Sequence, residues 1–135
     1  MDKKILLTKI KNLPSKKKQL YAAKCLSIFC QENSLQHPSI DLLIAHLNSI
    51  ENAQNIAQWE HEGALLPLNG RGDPIPKELE ALPSKDIKND FLHLVDYTVE
   101  VGIVDLYGAP SDLPIQFIEK IIIILEKHNI TLPKP

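Results

Sequence analysis

Five histidines (His37, His46, His61, His93 and His128) and two cysteines (Cys25 and Cys30) are the side chains of this 135-residue chain best suited to proton transfer, metal ligation or nucleophilic attack. Trp59-Glu60-His61-Glu62 sets two carboxylates beside an imidazole, but sequence neighbours on a helix face different ways. A zinc helix needs a second histidine four residues on, and none is there. His93 is better placed, because three-residue steps put Asp90, His93 and Asp96, or Tyr97, on one helical strip where a base could be oriented. An exposed helix face with an ordinary hydrogen bond or ion pair explains the same spacing more simply. No metal site, cofactor site or catalytic residue is expected.

The other reactive motifs read the same way. Asn69-Gly70-Arg71-Gly72-Asp73 has its glycines in a turn, without the lysine or the preceding strand of a phosphate-binding loop. Its Arg-Gly-Asp triplet carries no meaning in an intracellular chain. Cys25 and Cys30 are five residues apart, about 140° around a helix, so they cannot pair and read as buried small hydrophobes. An enzyme using His93 or a cysteine on a substrate held by residues 63–83 is the weakest reading.

Charge is more telling. The net charge is −2, but residues 1–24 carry eight lysines and one acid. The remainder carries sixteen acids against seven lysines or arginines. Such segregation steers partners. The lysines offer phosphate contacts, yet only Tyr21 accompanies them as an aromatic and no arginine is present to read bases. A solvated basic face paired with the domain's own acids is the simpler reading. Conversely, Glu60, Glu62, Asp90, Asp96 and Glu100 would attract a cationic protein if they share a surface, with Trp59 as an aromatic anchor.

These side chains must be positioned by helices. Apolar residues recur at helical spacing in Lys3–Leu13, in a second helix capped by Ser15 and reaching about Glu32, and in a third helix capped by Ser39 with Ile40, Leu43, Ile44 and Leu47 inward. A fourth runs from about Ala53 to His61. Prolines and glycines then leave room between 63 and 83 only for a turn of helix at Lys77–Ala81. Ser84 opens the longest helix, reaching about Tyr107, in which Gly102 marks a close crossing or a kink. Ser111-Asp112 starts the last. Its β-branched run Ile121–Ile124 would also suit a strand, but the flanking 3.6 period and the absence of a partner strand favour a buried, central helix. The expected architecture is all-α: one domain over 1–135, a compact bundle of five or six helices with one irregular loop. The size suffices for an unstapled core. No apolar run approaches the roughly 18 residues of a membrane span and no signal-peptide core follows the first lysines, so a cytoplasmic location is expected.

Tyr-Ala-Ala-Lys-Cys-Leu at 21–26, Trp59-Glu60 after a short helix, and Val-Gly-Ile-Val-Asp-Leu-Tyr-Gly-Ala at 101–109, on a small helical chain, resemble bacterial immunity proteins. These are the antidotes encoded with polymorphic or contact-dependent growth-inhibition toxins. The resemblance implies a tight one-to-one complex with a basic toxin domain, occlusion of that toxin's active site and no chemistry of its own. It transfers no binding residues. The alternative is a nucleic-acid-associated regulator using the lysine-rich first 24 residues.

Overall fold

The computed structural model describes residues 2–135. Among them the helices are α1 (Lys3–Lys11), α2 (Ser15–Glu32), α3 (Pro38–Asn48), α4 (Ile56–Ala64), α5 (Lys77–Ala81), α6 (Lys85–Ile103) and α7 (Leu113–Lys127). A 3-10 turn, Ser49–Asn52, extends α3. The all-α expectation holds, with seven α-helices rather than five or six because the single-turn α5 and the short α1 both form. No strand occurs among the described residues, and Ile121–Ile124 lies inside α7. None of the helices is long and apolar enough to cross a membrane.

The core is built on α2, α6 and α7, with α3 packed on α2 and α1 on α7. Leu26 and Phe29 of α2, Phe91 and Leu94 of α6, and Ile118, Ile121, Ile122 and Leu125 of α7 are wholly buried. Side chains of this size contribute about 1.5–3 kcal/mol each on burial, so this cluster dominates the stability. The last helix is buried over most of its circumference, as its composition requires; only Ile123 among its β-branched run is well exposed. Cys25 and Cys30 are free and buried, and burial pushes both thiols up to about 12. Neither supplies thiolate at neutral pH.

Several helix boundaries differ from the sequence reading, each for a local reason. His37, not Ser39, caps α3: a residue before proline is driven into extended backbone, and the His37 Nδ1 accepts the Ser39 N–H at 3.1 Å. Pro14, held extended, takes the cap position of α2 and makes Ser15 its first residue. Asn55 caps α4, its Oδ1 accepting the Gln58 N–H at 3.0 Å, which starts that helix three residues later than expected. The longest helix stops at Ile103, short of Tyr107. The Asp105 carboxylate there accepts both the Ser111 N–H, at 2.8 Å, and the Ser111 hydroxyl, at 2.7 Å, turning the chain toward α7. Gly102 makes a close crossing, not a kink: Gln19 of α2 fills the notch left by its missing side chain.

Candidate functional site

The irregular loop between α4 and α5 is organised by one buried asparagine. Asn69 donates through Nδ2 to the Ala64 carbonyl, at 3.0 Å, and to the Asp73 carboxylate, at 2.7 Å. Its Oδ1 accepts the Arg71 N–H at 3.0 Å. Gly70 and Gly72 both take positive φ, the region that disfavours other residues. A Cβ on Gly70 would also lie 2.7 Å from Val99 Cγ2, so the loop can sit on α6 only with glycine there. This geometry turns Arg71 back onto α4, where Nη2 donates to the Glu60 carbonyl at 3.0 Å and Nη1 pairs with the Glu60 carboxylate at 3.3 Å.

Arg71 acts on two of the five acids singled out in the sequence, Glu60 and Glu100. Glu60 is its direct partner. Glu100 of α6 is half-buried, and burial raises its carboxyl above the usual range; the Arg71 charge opposes this and the Asp96 charge adds to it. Asp96 is likewise raised by burial, with His93 pulling it down. Glu62, on the exposed side of α4, accepts from Gln58 Nε2 at 3.1 Å. Glu62 and Arg71 act with opposite sign on His46, whose imidazole is held below its ordinary value mainly by burial. Glu60 and Glu100 thus flank one guanidinium, Asp96 lies next to Glu100, and Glu62 shares His46 as a neighbour with Arg71; Asp96 and Glu100 resist ionisation.

The other two nominated residues lie elsewhere. Trp59 is only 5% exposed. Its ring stacks on His46 at 4.7 Å, and its indole N–H donates to the His46 carbonyl at 2.9 Å. A side chain so enclosed cannot anchor a partner; it fastens α4 to α3. Asp90 points toward the end of α7, pairing with Lys127 at 2.9 Å and His128 at 2.8 Å. It neither joins the acidic face nor orients His93, so Asp90, His93 and Asp96 do not come together as one group. His93 instead stacks on Tyr97, with ring centroids 6.1 Å apart.

Tyr97 leads to a feature that sequence reasoning missed. Its ring lies 6.0 Å from that of Phe117 on α7, and Lys120 places its ammonium 5.3 Å and 5.5 Å from the two rings. Both aromatics are half-buried. The outer side of α6 thus carries Asp96 and Glu100 beside a rigid aromatic pair, and Leu65, ending the helix that bears Glu60 and Glu62, stands 73% exposed. Arg71 was legible only indirectly, from two glycines and an asparagine compressed around it. Phe117 lies on a helix so apolar that its composition predicts burial all round, which hides its outward half.

Among the described residues no group of three or more histidine, cysteine or acidic side chains is placed to hold a metal ion. Comparison with protein-family models, with curated proteins and with solved structures returns no match. Of the segments behind the resemblance to immunity proteins, Tyr21, Ala22, Ala23, Cys25 and Leu26 are buried, and 101–109 forms the end of α6 and the turn after it, with Tyr107 exposed.

Proposed function

We propose that this chain is a binding protein that covers a basic surface of a partner protein with the face formed by α4, the Arg71 loop and α6. The supporting observation is Arg71 bonded to Glu60 and acting on Glu100, with Asp96 next to Glu100, Glu62 on the same helix as Glu60, and Tyr97, paired with Phe117, next to Asp96 in α6. Interfaces take most of their energy from a few aromatic anchors and desolvated charges, surrounded by groups that exclude water. Here Tyr97 and Phe117 replace Trp59 as the anchors. Asp96 and Glu100 are already partly desolvated, so a cationic side chain docking on them recovers charge pairing at little further desolvation cost. The specific form of this reading is inhibition of a toxin made in the same cytoplasm, by steric cover of its active site and without chemistry of its own.

The nucleic-acid alternative is less favoured by the lysine contacts. Lys3 pairs with Glu126 and Lys17 with Glu51. Lys16, Lys18 and Lys24 donate to backbone carbonyls. Two of the eight lysines are thus offset by the chain's own acids, and the acidic excess of residues 25–135 opposes a phosphate backbone. Both readings are tested by affinity capture from the native host, with variants of the two charged regions side by side. Loss of a stoichiometric protein on neutralising the four acids supports the first. Nuclease-sensitive recovery that depends on Lys16, Lys17 and Lys18 supports the second.

A further inference from the structure

A groove of about 780 Å³ runs beside α2, and it shares no residue with the acidic face. Its floor and walls include Leu13, Leu20, Tyr21, Ala23 and Ile44, and its rim carries Lys17, Lys24, Ser27 and Asn48. Leu13, Leu20 and Ile44 are only half-buried, leaving apolar surface that the fold has not covered. The volume and the apolar lining with a few polar groups fit a small-molecule site. Part of one wall is the C-terminal segment, held against α2 by the Tyr21 hydroxyl donating to the Pro133 carbonyl at 2.9 Å and by Lys24 donating to the Lys134 carbonyl at 3.0 Å.

We propose that this groove binds a long-chain aliphatic carboxylate, one molecule per chain. The charge on the rim sets the class. Lys17 and Lys24 stand seven residues apart on one face of α2, about 10 Å along its axis, and the first turn of that helix holds Lys16 and Lys17 and no acid. Lys24 spends one of its three donors on Lys134, which fixes the ammonium at the rim and leaves two donors for a ligand. The partner of Lys17, Glu51, is half in solvent, and a pair of that kind is readily exchanged for a ligand anion. The ligand's chain would lie along Leu13, Leu20 and Ile44, removing their exposed carbon from water. A neutral lipid would gain nothing from the cationic rim. A short carboxylate would leave the floor wet.

The test is calorimetric titration with sodium dodecanoate below its micelle concentration, against octanoate, dodecanol and phosphatidylglycerol vesicles. Dodecanoate is expected to bind at one equivalent, with dodecanol at least about tenfold weaker and each lost methylene costing up to about fourfold in affinity. The Lys17→Met/Lys24→Met variant should lose most of the preference for dodecanoate while binding dodecanol unchanged, which separates lost charge from lost fold. Amide shifts on titration should centre on Leu20–Ser27 and Ile44. Failure to bind dodecanoate, equal affinity for dodecanol, an unaltered preference in the double variant, or uptake only of vesicles would each overturn the assignment.

Discussion

Arg71 and Glu60 are joined twice, side chain to carboxylate at 3.3 Å and side chain to backbone carbonyl at 3.0 Å, across eleven residues of chain. The second bond ties the irregular loop to α4, and the first decides how much negative charge the face displays. Arg71→Met should therefore have opposite effects on stability and on recognition. Loss of the charge-assisted bonds is expected to cost about 1.5–3 kcal/mol in chemical denaturation. Association with a basic partner should become faster and more salt-dependent, because Glu60 and Glu100 then lose the Arg71 charge that offsets them. Slower association would show that Arg71 itself contacts the partner.

Gln19 and Gly102 make a second pairing. A methyl group on Gly102 would overlap Gln19 Oε1 and lie 2.8 Å from its Cδ. Gln19 is fully buried, donates through Nε2 to the Thr98 carbonyl at 2.9 Å, and leaves Oε1 without a partner. In an open helix Gly→Ala would stabilise by about 1 kcal/mol; here Gly102→Ala is expected to destabilise by about 1–3 kcal/mol through overpacking. Shortening Gln19 to alanine in the same chain should recover much of that loss, and a double-mutant cycle would show a coupling well above about 0.5 kcal/mol. Additive losses would mean that the two helices adjust without using the notch.

Asp90 supplies a prediction in pH. The hydrogen bond from Lys127, helped by His128, holds its carboxyl below the usual range against the opposing effect of burial. A carboxylate lowered in the folded state binds fewer protons there than in the unfolded chain. Its stabilisation is thus complete above the ordinary carboxylate range and lost as the pH falls through the lowered value. Asp90→Asn should cost about 1–2 kcal/mol at neutral pH. The gap from wild type should close progressively below about pH 4. Urea titrations across that range check the sign; a gap that persists unchanged in acid would contradict it.

Asp96 and Glu100 have the reverse sign. Burial raises both, so the folded state holds their protons more tightly and each costs stability once ionised. That cost is relieved as the pH falls through the raised values. Asp96→Asn and Glu100→Gln should leave stability unchanged within about 0.5 kcal/mol or increase it, and they should weaken partner binding. Binding should also release protons on mildly acidic titration, since a docked cation favours the ionised forms. If both variants destabilise the free protein, the acids serve the fold.

The sequence revealed what depends on period and composition: an all-α bundle, the central burial of α7 and the irregular 63–83 stretch, with one helix or two fewer than form. It did not reveal which polar groups meet, because that depends on how helices dock. Glu60, Glu62, Asp96 and Glu100 were named from their sign alone, and they come together only because Gly70 lets the loop lie on α6. Trp59 illustrates the converse. An aromatic beside two acids resembles an anchor in one dimension, but the indole N–H had a partner inside, at the His46 carbonyl, and burial followed. Asp90 was grouped with His93 by helical spacing, whereas α7 supplied His128 and Lys127 closer at hand.

The proposed role is tested most directly by affinity capture from the native host, using the wild-type chain, the four-acid variant Glu60→Gln/Glu62→Gln/Asp96→Asn/Glu100→Gln, and the variant Lys16→Gln/Lys17→Gln/Lys18→Gln. One basic protein is expected in stoichiometric amount with the wild-type chain and with the lysine variant, in nuclease-treated lysate, and it should be lost with the acid variant. Capture that survives neutralisation of all four acids, or that vanishes on nuclease treatment, would contradict a role for this face in binding a basic protein.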